Sequence, residues 1–206
     1  MADKAVLLVE GKDDEHVFYA LLNFHGVPDA FRIKDKQGID NLLGTLDVEL
    51  LASELERLGI VVDADIDVAS RWRRITGILT VSGYSNIPIL PNPAGTIIVE
   101  VGRPTVGVWI MPDNSIPGML EHFVRFLVPP NDPLWDRAVR CIDNVPENER
   151  SFPPQHLIKA QLHTWLAWQT EPGAPLGLAI TKRYLEADAV HAHGLINWIR
   201  RLFINP

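Results

Sequence analysis

Apolar residues follow two rhythms along this chain. Short unbroken runs of aliphatic and β-branched residues recur in the first 111 positions, and between and after them apolar residues return every three or four places. The unbroken runs are Ala5-Val-Leu-Leu-Val9, Gly59-Ile-Val-Val62, Thr96–Val101 and Val106–Met111. A run of this kind reads as a strand buried on both faces, as in a parallel sheet. Phe31-Arg-Ile-Lys34 is a plausible further strand. The intervening stretches read as helices. One starts at Asp13 or Asp14, carries Val17, Leu21 and Phe24 on one face, and ends at Gly26. Gly38 opens another with Ile39, Leu42 and Leu43, and a Leu- and Glu-rich helix follows over 47–58. Residues 69–83 place Ile75, Ile78 and Leu79 on one stripe, and a helix over 119–127 follows Gly118. Gly102-Arg-Pro-Thr105 turns strand 96–101 into strand 106–111, an edge hairpin.

The pattern changes at Pro129-Pro130. Beyond it no strand is predicted, only helices over 133–143, 155–170, 178–187 and 192–203, with four of the six tryptophans. The expected fold is α/β: residues 1–128 form a mostly parallel central sheet flanked by helices, with the added edge hairpin. Residues 129–206 form a helical C-terminal extension packed on it. Pro-rich joins at 145–154 and 172–175 suit short, rigid connections. There is no internal repeat and no low-complexity segment.

Composition narrows the function classes. The length of 206 residues allows one medium domain or a domain with an appendage. The single cysteine, Cys141, excludes an internal disulfide framework and a cysteine-rich zinc cluster. No apolar stretch approaches the roughly 18 residues that would span a bilayer, and Met-Ala-Asp-Lys is no signal peptide. A cytoplasmic protein without membrane contact is expected. The net charge of −7 argues against a simple nucleic-acid binder with a basic surface. It leaves room for a nuclease, in which bound metal and a local basic patch offset acidic groups. Arg71, Arg73 and Arg74 form such a cluster, although a solvated helix face explains them as well.

Two of the apolar runs end abruptly in acid: Val9-Glu10-Gly11 and Val62-Asp63-Ala64-Asp65-Ile66-Asp67. In open α/β sheets the ligand crevice lies at the carboxyl ends of the strands. If these strands are neighbours, Glu10, Asp63 and Asp65 meet on one rim. Two unit charges about 4 Å apart repel by roughly 4 kcal/mol at an effective dielectric near 20. A hard divalent cation relieves that repulsion, and Mg²⁺ (or Mn²⁺) needs only one or two protein carboxylates. Residues i and i+2 of an extended segment point the same way, so Asp63 and Asp65 can share one ion. Asp67 continues the row unless a helix starts there. Glu10 can ligate the metal or handle a proton. Gly11 leaves room for a phosphate at the following helix N-terminus, and Lys12 is placed to bind it.

Asp14, Asp113 and Glu121 are spare acids for a second ion, as two-metal cleavage requires. Each also has an ordinary role, as helix cap, turn initiator and solvated helix residue respectively. His156 and His163 bracket Lys159, and one polar helix face explains all three. His191-Ala-His193 could bind a transition metal, but a polar loop between helices accounts for it. His16, beside the acidic start of the first helix, carries no assignment.

The order strand-Glu-Gly, helix, strand, helix, strand-Asp-x-Asp, helix, strand resembles the Toprim domain. Val9-Glu10-Gly11, Val62-Asp63-Ala64-Asp65 and Asp67 carry the likeness. Such domains occur in topoisomerases, bacterial-type primases, small ribosomal-RNA maturases and OLD-family nucleases. Glu10-Gly-Lys-Asp13-Asp14 is similar to the OLD branch. Trp109-Ile-Met-Pro-Asp113-Asn, Gly118-Met-Leu-Glu121 and Lys159-Ala160 resemble a small prokaryotic family of free-standing Toprim-like proteins. The resemblance implies Glu10 as general acid or base, Mg²⁺ on the Asp-x-Asp pair, and Lys159 offsetting phosphate charge. It further implies phosphodiester cleavage of DNA or RNA in defence or repair, with a separate ABC- or AAA-type ATPase, since the chain has no G-x-x-x-x-G-K-[ST] loop.

Two rival readings stand beside it. One is a non-catalytic subunit that binds such an ATPase. The other is a haloacid-dehalogenase-type phosphatase using Asp65-Ile-Asp67-Val68, which leaves Glu10 unexplained. A Rossmann-type nucleotide binder lacks its G-x-G-x-x-G.

Overall fold

The computed structural model describes residues 4–205. Five strands build the sheet: β1 (Ala5–Val9), β2 (Arg32–Asp35), β3 (Arg57–Asp63), β4 (Thr96–Ile98) and β5 (Thr105–Met111). Their order is β2-β1-β3-β5-β4, with β4 antiparallel to β5 and the other pairs parallel. The unbroken apolar runs follow from burial on both faces. Leu7 and Val9 enter one core, whereas Val6 and Leu8 enter the other. The chain leaves β1 for β2 on one side and returns for β3 on the other. A crevice therefore opens between the carboxyl ends of β1 and β3.

One face carries α2 (Ile39–Gly44), α3 (Leu46–Leu50) and α4 (Val68–Val81). The other carries α1 (Lys12–Phe24) and α5 (Leu120–Arg125). It also carries α6 (Pro133–Asp143), α7 (Leu157–Ala167), α8 (Leu176–Thr181) and α9 (Val190–Ile199), the last running on as a π-helical turn over Arg200–Ile204.

Three predicted elements differ most in extent. The helix expected over 47–58 stops at Leu50, because Arg57 and Leu58 are drawn into β3 opposite Thr105 and Val106. The strand expected over 96–101 ends at Ile98, and two residues further on Arg103 N–H closes a turn on the Glu100 carbonyl. The helix expected over 178–187 is α8, shorter and earlier. Arg183 breaks it with a φ of 63°, a left-handed conformation that no helix continues.

The C-terminal helices share one apolar core with β1, β3 and β5, running from Leu7 through Trp165 to Phe203. Gly59 and Gly107 explain how α9 approaches the sheet. They pair in register across β3 and β5. A Cβ on Gly107 would collide with Leu202 and sit 3.0 Å from Trp198, while one on Gly59 would lie 3.0 Å from Phe203. Bare backbone at both positions makes a trough for these side chains. Trp198 Nε1 also donates to the Thr96 carbonyl at 3.2 Å. Among the described residues, no helix is long and apolar enough to cross a membrane.

Candidate functional site

Glu10 directly follows β1 and Asp63 ends β3, so adjacent parallel strands deliver both to the same rim. Glu10 Oε1 accepts from the Asp63 backbone N–H at 2.7 Å. Asp14 stands at the third position of α1 and reaches back to the Gly11 N–H at 3.1 Å, the acidic half of a capping box. Asp63 Oδ1 accepts from the Leu120 N–H at 2.9 Å, which docks the first turn of α5 on the end of β3. That places Glu121, 3% exposed, in the same crevice, where its Oε1 receives Lys159 Nζ of α7 at 2.8 Å. Each of the four acids is thus held by a hydrogen bond or ion pair through one of its oxygens.

The cleft is open and measures about 440 Å³. Glu10, Asp14, Asp63, Glu121 and Lys159 line it, with Gly11, Lys12 and Gly38 at its mouth. Burial pushes the Asp63 carboxyl well above its ordinary range, and the charges of Asp14, Glu10 and Glu121 push it further. The Asp14 carboxyl is raised to about 7, first by burial and then by Glu10. Burial also raises Glu10, against the opposing effects of the Asp63 N–H and Arg71. For Lys159, burial favours the neutral amine, but its hydrogen bond and attraction to Glu121 win and raise its pKa. Glu10, Asp14, Asp63 and Glu121, with Asp13 and Asp35 also lining the cleft, outnumber its two lysines, Lys12 and Lys159.

Hard oxygen donors in excess of local positive charge suit Mg²⁺ or Mn²⁺. Gly11 strengthens the fit to an anionic ligand. Its φ of −149° is extended backbone open to any residue, and an added Cβ would meet only Asp14 Oδ2, at an ordinary 3.6 Å. Neither conformation nor packing demands glycine here, so the open approach to the N-terminus of α1 is what its small size provides. Lys12 also lines the cleft, mostly exposed, paired with Glu15 at 2.6 Å and near Asp35 at 3.7 Å.

Three expected ligands lie elsewhere. Asp65 leaves the row started by Asp63, because β3 ends at Asp63 and Asp65 adopts a φ of 55°. Its carboxylate pairs with Arg71 beside a neighbouring hollow. Asp67 caps α4, accepting from the Ala69 N–H at 2.9 Å. Asp113 closes its own turn, accepting from Ser115 N–H at 2.9 Å and Ile116 N–H at 3.0 Å.

Arg71, read above as part of a basic patch or of a solvated helix face, is 6% exposed. Its Nε donates to the Asp63 carbonyl at 2.7 Å and its Nη2 to Asp65, while Nη1 is buried with no partner among the described residues. It therefore fixes the backbone that presents Asp63. Arg71, Ile75 and Leu79 recur at four-residue spacing, which places the arginine on the apolar stripe and could have signalled its burial.

Fold and site together define an α/β protein with a carboxylate-lined cleft where its mostly parallel sheet changes winding direction. The chain belongs to the DUF3226 family, described as proteins of unknown function, which it matches over residues 4–204. No curated protein and no solved structure matches it.

Proposed function

We propose that the protein is a Mg²⁺- or Mn²⁺-dependent nuclease of Toprim-like type, hydrolysing phosphodiester bonds in DNA or RNA. One observation carries the reading: Glu10, Asp14, Asp63 and Glu121 converge beside Lys159 at the carboxyl ends of β1 and β3. Asp63, Asp14 and Glu121 would hold the cation. When bound, it supplies Lewis-acid polarisation of a phosphate oxygen and eases ionisation of water. Glu10, left outside that ligand set, exchanges protons, since burial holds its carboxyl above the ordinary range. Lys159 offsets charge on the phosphate, and the Gly11 position admits it to the start of α1. The net charge of −7 fits delivery of a polyanionic substrate by a partner, and an ABC- or AAA-type ATPase encoded separately belongs to this proposal.

The phosphatase alternative is less well supported. It needs Asp65 as nucleophile, and that carboxylate is paired with Arg71 outside the cleft.

Calorimetric titration of Mn²⁺ into the wild type and into Asp63→Asn/Glu121→Gln is the first test, followed by cleavage assays on single- and double-stranded DNA and RNA. Binding is expected in the wild type alone, with cleavage dependent on it. Metal binding that survives the double substitution would remove the basis of the assignment. Full cleavage by Glu10→Gln would remove Glu10 from the chemistry.

A further inference from the structure

A second constellation lies away from the acidic cleft, where the end of α1 meets the start of α9. His25 follows the last residue of α1, Asp188 lies in the turn before α9, and His193 stands one turn inside it. One ligating atom from each of the three lies within 4.8 Å of the other two. His193 Nε2 is 2.9 Å from Asp188 Oδ1, and the two imidazoles stand edge to face with centroids 5.2 Å apart.

The hydrogen bonding of His25 selects its tautomer. Its Nε2 lies 2.8 Å from the Ala187 carbonyl, and a carbonyl can only accept. The proton therefore sits on Nε2, and Nδ1 carries the lone pair in the neutral ring. An imidazole whose second nitrogen donates to a backbone carbonyl is oriented in the way metal-ligating histidines usually are. The turn itself is anchored, since Glu186 N–H donates to the Leu127 carbonyl at 2.6 Å. The His-x-His pair splits: His191 stacks on Phe126 with centroids 3.9 Å apart, which leaves His193 to this cluster.

We propose that His25, Asp188 and His193 form a binding site for Zn²⁺, with water completing the coordination. Two imidazoles and one carboxylate are a recognised three-ligand zinc set, and nitrogen donors distinguish the site from the all-oxygen cleft. Asp188 supplies negative charge against Arg200, whose Nη2 donates to the His25 carbonyl at 2.8 Å. A bound ion ties α1, the 186–189 turn and α9 together. It thereby clamps the helix that presses Trp198 into the glycine trough of the sheet. This inference does not rest on the nuclease reading.

The test uses the full chain stripped with chelator. Zn²⁺ is titrated calorimetrically and Co²⁺ by its visible absorption, in the wild type, His193→Ala, Asp188→Asn and, as control for the cleft, Asp63→Asn. Asp188 and His193 are 76% and 47% exposed, so both substitutions leave the core intact. One high-affinity Zn²⁺ per chain is expected, weakened at least tenfold in His193→Ala and Asp188→Asn and retained in Asp63→Asn, with a raised melting temperature on binding. Zn²⁺ affinity unchanged in His193→Ala and Asp188→Asn, or lost only in Asp63→Asn, overturns the proposal, as does no binding at all.

Discussion

Replacing Asp14 by Asn probes the cost of burying its carboxylate among the other acids of the cleft. In the unfolded chain this carboxyl titrates near 3.8, and in the native protein near 7. The native state holds the proton more tightly, so stability is full below about pH 4 and is lost as pH rises through 7. A displacement from 3.8 to about 7 corresponds to roughly 4 kcal/mol above neutrality. Asn removes the charge while its amide oxygen can still accept from the Gly11 N–H, now 3.1 Å away. In chelator at pH 8, Asp14→Asn should be more stable than the wild type by about 2–4 kcal/mol. In a chain of this size that is a rise of roughly 5–10 °C in melting temperature. Near pH 4 the two proteins should unfold alike.

Urea denaturation followed by tryptophan fluorescence at pH 4, 6 and 8 measures the difference. Adding Mn²⁺ at pH 8 should invert the order, because a ligand that binds only the native state stabilises it by mass action. The wild type gains more from the ion than a variant lacking one ligand. If Asp14→Asn is equal to or less stable than the wild type at pH 8 in chelator, burial and the neighbouring charges do not disfavour the Asp14 carboxylate. The cleft is then not poised for a cation, and Asp14 is simply a helix cap.

Two further changes separate packing from chemistry. Gly107→Ala places a methyl group against Leu202 and Trp198; overpacking of this kind costs about 1–3 kcal/mol, read as a lower urea midpoint with Mn²⁺ binding unchanged, and a neutral outcome would refute the close seating of α9. Lys159→Met leaves Glu121 buried without its partner. Complete burial would make that loss about 3–5 kcal/mol; because Lys159 is 43% exposed, about 1–2 kcal/mol is expected. Removing a positive charge beside the ion should tighten Mn²⁺ binding while cleavage falls tenfold or more. A parallel loss of both would show that Lys159 shapes the cleft instead of serving the phosphate.

The sheet was legible because burial on both faces writes itself as an unbroken apolar run. β1, β3 and β5 all carry that mark, and the strand after Gly102 reads at once as the partner of an edge hairpin. Helix ends were less legible. Leu50 ends α3 because β3 claims Arg57 and Leu58 for pairing with β5, a long-range demand with no local signature. The seating of the C-terminal helices was hidden for a different reason. Gly59 and Gly107 announce close approach inside strands, but nothing local says that Phe203, Leu202 and Trp198 are what approaches.

The site divides along the same line. Glu10 and Asp63 were readable because each is the first charge after a buried run, and parallel pairing then forces them together. Asp14 and Glu121 arrive through helix starts. One caps α1, and the other follows the Leu120 amide that Asp63 itself captures, so the cleft is assembled by the hydrogen bonds that begin two helices. The i and i+2 argument for Asp65 failed at a single backbone angle. It holds only while the strand continues, and β3 stops at Asp63, after which a left-handed residue turns the carboxylate toward Arg71. That arginine then returns the favour to the site, gripping the Asp63 carbonyl from behind. An Asp-x-Asp motif at a strand end therefore supplies one cleft carboxylate directly and uses the other, through a buried arginine, to fix the backbone that presents it.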